Sequence, residues 1–281
     1  MERKIIFLDI DGTLTEPGSN RPPESALKAV RRAREGGHLV YLCSGRNYAM
    51  LLPLLKYGFD GVVASAGGYV ECAGEVIYDS PMTEDQRIRA LSVFEDNGVF
   101  RTVECRDVSY TDESFREYLK THISRGRNRE LLRKREVLEK NLCLLPMKEY
   151  RGQPVYKIVF MSLSEEQLAE PRAVLEADFF FWMQEKKGDC FVNGELMNRK
   201  FDKGGAVERV CRHMGIALCD SLAFGDSMND REMLQTAGLG ICMGNGSPEL
   251  MKLADDVCGS VGEAGLYRAF LKYGLIGEEV S

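Results

Sequence analysis

Two pairs of aspartates are the residues of this sequence best suited to do chemistry. Asp9 and Asp11 stand two apart at the end of an apolar run, and Asp226 and Asp230 stand four apart after another. A buried carboxylate without a partner is strongly unfavourable, so each pair requires a cation. Mg²⁺ suits them, because it prefers oxygen ligands and usually keeps waters that a phosphate can displace. The Asp9–Asp11 pair therefore predicts a magnesium site, and Asp226 and Asp230 are spaced so that they can converge on one metal ion.

A hydroxyl, a backbone N–H and an amine accompany these carboxylates. Ser44 and Gly45 follow another apolar run, where they are placed to bind phosphoryl oxygens. Lys203 begins a helical pattern, where the helix dipole disfavours positive charge and a bound anion would resolve the conflict. Taken singly, these segments are also compatible with structural roles, as turn aspartates, a helix N-cap or a solvated lysine.

The candidate residues follow the strands of one predicted sheet. Residues 5–10, 39–43 and 62–64 are continuous apolar runs, which are typical of parallel strands covered on both faces. Helical patterns separate them, and this alternation predicts an α/β fold with a doubly wound, Rossmann-like parallel sheet. Ligands of such sheets bind beyond the carboxyl ends of the strands, where Asp9 and Ser44 fall.

The parallel-sheet pattern stops and later resumes, which predicts an inserted domain. Residues 82–188 combine charged helical segments with two alternating segments, as in an α+β unit. We predict a core domain formed by residues 1–81 and 189–281, with the insert between the two parts. Proline at Ser80–Pro81 and glycine at Lys187–Gly188 interrupt regular secondary structure. We predict that these two positions are hinges about which the insert moves as a lid.

Composition and charge argue against several other classes of protein. The chain has 281 residues, with 37 basic and 43 acidic side chains and a net charge of −6. This balance disfavours binding to nucleic acid or to anionic membranes, and no apolar run approaches the roughly 18 residues of a membrane span. The chain has nine cysteines, none of them in a C-x-x-C pair, and its N-terminus does not resemble a signal peptide. Both observations predict reduced thiols and a cytoplasmic location.

Taken in order along the chain, the motifs resemble those of one family. The segments 9–14 (Asp-Ile-Asp-Gly-Thr-Leu), 44–46 (Ser-Gly-Arg), 203–204 (Lys-Gly) and 225–230 (Gly-Asp-Ser-Met-Asn-Asp) are similar to the haloacid dehalogenase (HAD) superfamily of phosphatases, and more narrowly to the Cof-like hydrolases. The tail at 237–245 looks like the family's A-G-x-x-x-x-M-G-N run. The size of the insert also resembles the family's α/β cap domain.

The resemblance implies a role for each matching residue. Asp9 would be the nucleophile and a Mg²⁺ ligand, and Asp11 the general acid and base, with its backbone carbonyl also touching the metal. Ser44, Gly45 and Lys203 would hold the phosphoryl oxygens. The remaining positions complete the two sites: Asp226 as a direct metal ligand, Asp230 as a support of the metal shell, and Asn229 as a group that orders the phosphate or Lys203.

These roles predict a Mg²⁺-dependent phosphatase that hydrolyses small phosphomonoesters, sugar phosphates first, through an aspartyl-phosphate intermediate. A phosphomutase of the same superfamily is the nearest alternative, although Ser-Gly-Arg at 44–46 is the form found in the hydrolases. An inactive, phosphate-sensing binding protein is an alternative of another class, and the retained catalytic carboxylates argue against it. The sequence carries no signal for oligomeric state.

One position departs from the family pattern. Where Cof-like hydrolases generally carry Asn-Gly-Ala after the third core strand, this chain has Ala66-Gly67-Gly68. Ala66 lacks the hydrogen bonds of an amide, so we predict normal chemistry with a leaving-group preference shifted away from hexose phosphates. Neutral drift, with Ser65 supplying the lost hydrogen bond, is the alternative.

Overall fold

The computed structural model of the chain describes residues 2–17, 19–114, 144–183 and 192–278. The chain packs as two compact units. The first consists of Met1–Arg46, Leu51–Asp79 and Phe201–Ser281, and the second of Asn47–Met50 and Ser80–Lys200. The first unit is thus built from both ends of the chain, and the second is inserted between them.

The regular elements are numbered here in chain order over the described residues. The strands are β1 Ile5–Leu8, β2 Leu39–Cys43, β3 Gly61–Ala64, β4 Tyr69–Cys72, β5 Glu75–Asp79, β6 Phe100–Cys105, β7 Ser109–Thr111, β8 Leu144–Pro146, β9 Val155–Ser162, β10 Phe179–Met183, β11 Val192–Asn198, β12 Ser221–Gly225, β13 Leu239–Cys242 and β14 Asp256–Val257. The α-helices are α1 Glu24–Glu35, α2 Tyr48–Leu55, α3 Glu84–Asp96, α4 Ala169–Leu175, α5 Lys203–Met214, α6 Arg231–Thr236, α7 Pro248–Met251 and α8 Gly265–Lys272. Short 3₁₀ helices lie at Ser65–Gly67, Met147–Glu149, Glu166–Leu168, Leu218–Asp220, Met228–Asp230 and Val261–Glu263. Among these elements, no helix combines the length and apolarity that crossing a bilayer requires.

An eight-stranded sheet forms the centre of the first unit. Its strand order is β14-β13-β12-β1-β2-β3-β4-β5. Every pair from β14 to β3 is parallel, and β4 and β5 extend the sheet as an antiparallel hairpin. All residues of β1, β2 and β3 are buried, as expected for strands covered on both faces. The predicted doubly wound parallel sheet is confirmed.

The register of the central strands brings their carboxyl ends to one edge. Leu8 of β1 lies opposite Leu42 of β2 on one side and Phe224 of β12 on the other. The next residues of β1 and β12 are Asp9 and Gly225. Because parallel strands end at the same edge, the loops after β1, β2 and β12 leave the sheet together, and ligands of such sheets bind at this edge.

A six-stranded sheet forms the centre of the second unit, in the order β10-β11-β9-β6-β7-β8. Its pairs are antiparallel except for β7 and β8. Helix α3 begins with a capping box formed by Thr83 and Gln86. Buried apolar side chains of α3, α4 and the sheet form a separate core that includes Phe94, Val103, Ile158, Phe160, Leu175 and Leu196.

The structure differs from the sequence-based expectation at two places. Strand β11 pairs with both β9 and β10, so residues 192–198 belong to the second unit, and the predicted boundary after residue 188 falls too early. Residues 229–237 have the sequence pattern of one helix, but Met228–Asp230 is a 3₁₀ turn with a capping box formed by Ser227 and Asp230, and α6 begins only at Arg231. Lys187–Gly188 lies outside the described residues. The assignment of core and cap domains, and the motion of the insert as a lid, stay predictions.

Candidate functional site

Asp9 and Lys203 form a buried ion pair at the carboxyl edge of the first unit's sheet. The Asp9 N–H donates to the Phe224 carbonyl at 3.0 Å, which fixes the backbone against β12. Lys203 Nζ lies 2.7 Å from Asp9 Oδ1 and 2.5 Å from Asp230 Oδ1, and all three side chains are almost fully buried. The positive charge at the start of α5 is therefore balanced within the protein by two carboxylates.

A third carboxylate, Asp226, lies beside the two that pair with Lys203. Asp9, Asp226 and Asp230 each offer an oxygen, and these oxygens lie within 4.8 Å of one another. Asp230 Oδ2 accepts the N–H groups of Asp226 and Ser227 at 3.0 and 3.2 Å, which closes the loop after β12. Asp226 Oδ1 is buried and has no hydrogen-bond partner among the described residues. An orphaned carboxylate oxygen beside two more carboxylates fits a hard divalent cation.

Burial and, after it, neighbouring charge shift the pKa values of these groups. Burial, followed by the charge of Asp230, raises the pKa of Asp9 to about 8 and that of Asp226 to about 7. Burial alone would lower the pKa of Lys203, but Asp230 and Asp9 together raise it well above its usual value. The lysine is therefore charged at neutral pH, and one positive charge does not suffice to keep the carboxylates fully ionised. A second cation would complete the charge balance.

Glycines permit the close approach of these loops. Gly12 has a φ of 86°, and a Cβ there would lie 2.3 Å from Asp226 Oδ2. At Gly225 a Cβ would lie 2.5 Å from the Cβ of Asp230. Asn245 donates from Nδ2 to the Gly12 carbonyl at 2.7 Å and so supports the turn after β1. In the sequence Asn245 was only part of a tail motif, since nothing local indicates a contact with residue 12.

Asp11 is not part of this carboxylate cluster. Its side chain pairs with Arg46 through two parallel hydrogen bonds, Nε to Oδ2 at 2.8 Å and Nη2 to Oδ1 at 2.6 Å. Arg46 also donates to Asn20 Oδ1 at 2.5 Å, and its side chain is 10% exposed. The position of Arg46 in Ser-Gly-Arg is the only sequence signal for this contact, and it names no partner. A metal contact through the Asp11 carbonyl stays a prediction.

The predicted phosphate-binding residues differ in their burial and in their hydrogen-bond partners. Ser44 directly follows β2, is buried, and accepts the Arg46 N–H at its Oγ at 3.3 Å; Gly45 lies between the two. Asn229 is exposed, and its Oδ1 accepts the Ser227 hydroxyl at 2.6 Å. Within the described part of the chain, no hydrogen bond joins Asn229 to Lys203. Ser44, Gly45 and Lys203 thus lie at the predicted edge, and the roles of all four residues stay predictions.

Comparison with known proteins identifies the family. The family profile described as haloacid dehalogenase-like hydrolase matches residues 6–270, and the chain belongs to this family. The family predicted from the order of the motifs is thereby confirmed.

Individual relatives cover nearly the same length. The chain is 29% identical to the protein YkrA of Bacillus subtilis (strain 168), over 98% of this chain and all of that protein. It is 28% identical to the HMP-PP phosphatase of Yersinia enterocolitica, over 88% of this chain and 86% of the relative. A crystal structure of a hypothetical protein from Geobacillus kaustophilus HTA426 superimposes with a TM-score of 0.79 at 27% identity, covering 98% of this chain and 100% of that one.

Proposed function

We propose that this protein is a Mg²⁺-dependent phosphatase that hydrolyses small phosphomonoesters through an aspartyl-phosphate on Asp9. The observation that carries this proposal is the cluster of Asp9, Asp226 and Asp230 at the carboxyl edge of a parallel sheet, where Asp9 and Asp230 pair with the buried Lys203. Membership in the hydrolase family and the name of the Yersinia phosphatase support it. The net charge of −6 is compatible with a small-molecule substrate. A cytoplasmic location is also part of the proposal.

The carboxylate cluster would hold the metal ion. Asp9 and Asp226 would be its side-chain ligands, since Asp226 Oδ1 has no other partner in the described chain. Asp230 would act by positioning, because Lys203 and two backbone N–H groups already occupy its two oxygens. When bound, Mg²⁺ supplies positive charge that favours the ionised form of Asp9 and offsets the charge of the phosphoryl oxygens.

In the proposed mechanism Asp9 attacks phosphorus. An oxygen of its carboxylate forms a bond to phosphorus, and the ester P–O bond breaks as Asp11 gives a proton to the leaving alcohol oxygen. Lys203 Nζ and the Ser44 hydroxyl stabilise the charge on the phosphoryl oxygens during this step. Water then attacks phosphorus, Asp11 takes its proton, and the bond between phosphorus and the Asp9 oxygen breaks. Phosphate leaves, with Asp9 again an ionised carboxylate and Asp11 again the protonated carboxyl with which the cycle began.

A panel of phosphomonoesters tests this proposal. We expect the purified protein to release inorganic phosphate from several sugar phosphates and from an aryl phosphate when Mg²⁺ is present. EDTA is expected to stop the reaction, and added Mg²⁺ to restore it. The measurement is phosphate release in a colorimetric assay, with the organic product identified by chromatography.

Two outcomes of the panel would contradict the proposal. Isomerised sugar phosphates without free phosphate would indicate the phosphomutase. Binding of phosphate without turnover of any ester, with Mg²⁺ present, would indicate the phosphate-sensing protein.

The Arg46–Asp11 pair provides a second prediction. Arg46→Lys keeps the positive charge but cannot make both parallel hydrogen bonds to Asp11. We expect kcat to fall about tenfold with little change in KM, since the arginine orients the acid–base group, whose total contribution is about 10²–10⁴-fold. Arg34→Lys is the matched control, because Arg34 makes the same two-bond contact with Asp60. Equal kcat values for both variants would contradict the positioning role of Arg46.

A further inference from the structure

Three consecutive residues after β3 have left-handed backbone conformations. The φ angles of Ser65, Ala66 and Gly67 are 49°, 55° and 102°. A side chain with a Cβ disfavours this region. In the described chain, four non-glycine residues have positive φ, and two of them are adjacent here. Such a conformation persists only where the surrounding structure holds it, so the contacts of this segment must be strong.

On one side, the segment contacts the loop that carries Ser44. The Ser65 N–H donates to the Arg46 carbonyl at 2.8 Å, and the Ala66 N–H donates to the Ser44 carbonyl at 3.0 Å. These two carbonyls flank Gly45. The left-handed turn thus directs two successive N–H groups to both sides of the proposed phosphate-binding loop.

On the other side, the segment contacts the residues that precede Lys203. A Cβ on Gly67 would lie 2.3 Å from the Asp202 carbonyl oxygen, and a Cβ on Gly68 would lie 2.7 Å from the Phe201 ring. Asp202 is the N-cap of α5, since its side chain accepts the Gly205 N–H. Any side chain at position 67 must therefore displace the backbone from which Lys203 projects.

We propose that residues 65–68 form a positioning segment that fixes the Ser44 loop relative to the start of α5. Two N–H groups of the segment donate hydrogen bonds to the Ser44 and Arg46 carbonyls, and Gly67 packs against the backbone of Asp202. It thereby sets the separation between the hydroxyl of Ser44 and the amine of Lys203. The inference rests on the proposed function, because it takes these two groups as the holders of phosphoryl oxygens.

The same geometry bears on Ala66. Asparagine tolerates the left-handed region better than alanine does. The backbone conformation at position 66 therefore favours the asparagine of the family pattern independently of any contact with substrate. The positioning role resides in the main chain of this segment.

Gly67→Ala tests the positioning segment. We expect kcat to fall about 100-fold, the scale of an error of about 1 Å in placing catalytic groups. The affinity for inorganic phosphate, measured by calorimetry with Mg²⁺, is expected to weaken in parallel. Gly74→Ala is the matched control: Gly74 has a φ of 85°, and a Cβ there meets nothing within 4 Å. It also places a Cβ at a positive φ and is expected to keep both values within about twofold of the wild type.

A second variant separates positioning from strain. Gly68 has a φ of −71°, so Gly68→Ala adds a contact with the Phe201 ring without left-handed strain. We expect kcat and phosphate affinity to fall about tenfold, less than for Gly67→Ala, because a ring can shift more readily than backbone.

The outcomes are distinct. Wild-type kcat and phosphate affinity in folded Gly67→Ala protein, or equal losses in Gly74→Ala protein, would overturn the proposal. If Gly67→Ala does not fold, unchanged values in Gly68→Ala protein would overturn it instead. A wild-type protein that hydrolyses no ester contradicts the proposed function, whereas the phosphate affinities of the variants still decide the role of the segment.

Discussion

Asp9→Asn is expected to abolish phosphate release while the protein stays folded. Only a carboxylate can form the acyl phosphate, and loss of a group that acts by covalent catalysis typically costs several orders of magnitude in kcat. The amide still offers an oxygen to Lys203, which lies 2.7 Å from Asp9 Oδ1. Because burial disfavours the ionised form of Asp9 and the amide carries no charge, we expect thermal stability to be equal or higher. The measurements are kcat on the best ester and the unfolding temperature.

The chain offers a matched control for this substitution. Asp220 precedes β12 and pairs with Lys4, which precedes β1, so this carboxylate–lysine pair lies at the amino ends of the two strands whose carboxyl ends hold Asp9 and Asp226. Asp220→Asn is expected to leave kcat unchanged. Activity of Asp9→Asn protein above about a hundredth of the wild-type value would contradict the nucleophile assignment.

Lys203→Met is expected to damage both stability and activity. The side chain is almost fully buried between Asp9 and Asp230, and removal of one partner of a buried ion pair typically costs about 3–5 kcal/mol. We expect a loss of this size in the free energy of unfolding when EDTA is present. A smaller loss is expected with Mg²⁺, which replaces part of the missing positive charge. Activity should fall at least about 100-fold, since an electrostatic contact with the transferred group is lost.

Two further variants serve as comparisons for Lys203→Met. Lys203→Arg keeps the charge but not the compact ammonium, so we expect it to recover stability more than kcat. Lys4→Met removes the partner of Asp220, a pair 30% exposed on each side, and is expected to change stability by no more than about 1 kcal/mol. Wild-type kcat in folded Lys203→Met protein would exclude a role for this lysine in phosphoryl transfer.

The sequence predicted those parts of the molecule that depend on local patterns. The continuous apolar runs identified the central parallel strands, and α5 begins at Lys203, where the helical pattern was predicted to begin. The carboxylates at strand ends were found because parallel strands end at one edge, so their convergence follows from topology alone. Asp9, Asp226 and Asp230 lie together there, whereas Asp11 pairs with Arg46 instead.

Features that depend on distant contacts were missed. The pairing of β11 with β9 and β10, which moves residues 192–198 into the second unit, is set by long-range pairing. The contact of Arg46 with Asp11 joins residues 35 positions apart, and either side chain alone is compatible with many partners. The left-handed run at Ser65 and Ala66 opposes local preference, since neither residue type favours positive φ. Only the surrounding fold explains it.

Trapping of the covalent intermediate tests the central claim most directly. Acid quenching during turnover, followed by borohydride reduction, converts an aspartyl phosphate to homoserine, and peptide mass spectrometry then locates the change. The proposed mechanism predicts homoserine at position 9 in the wild-type protein, dependent on both substrate and Mg²⁺, and unmodified aspartate at position 11. Homoserine at position 11, or none at either position during steady hydrolysis of a phosphomonoester, would contradict the assignment of Asp9 as the nucleophile.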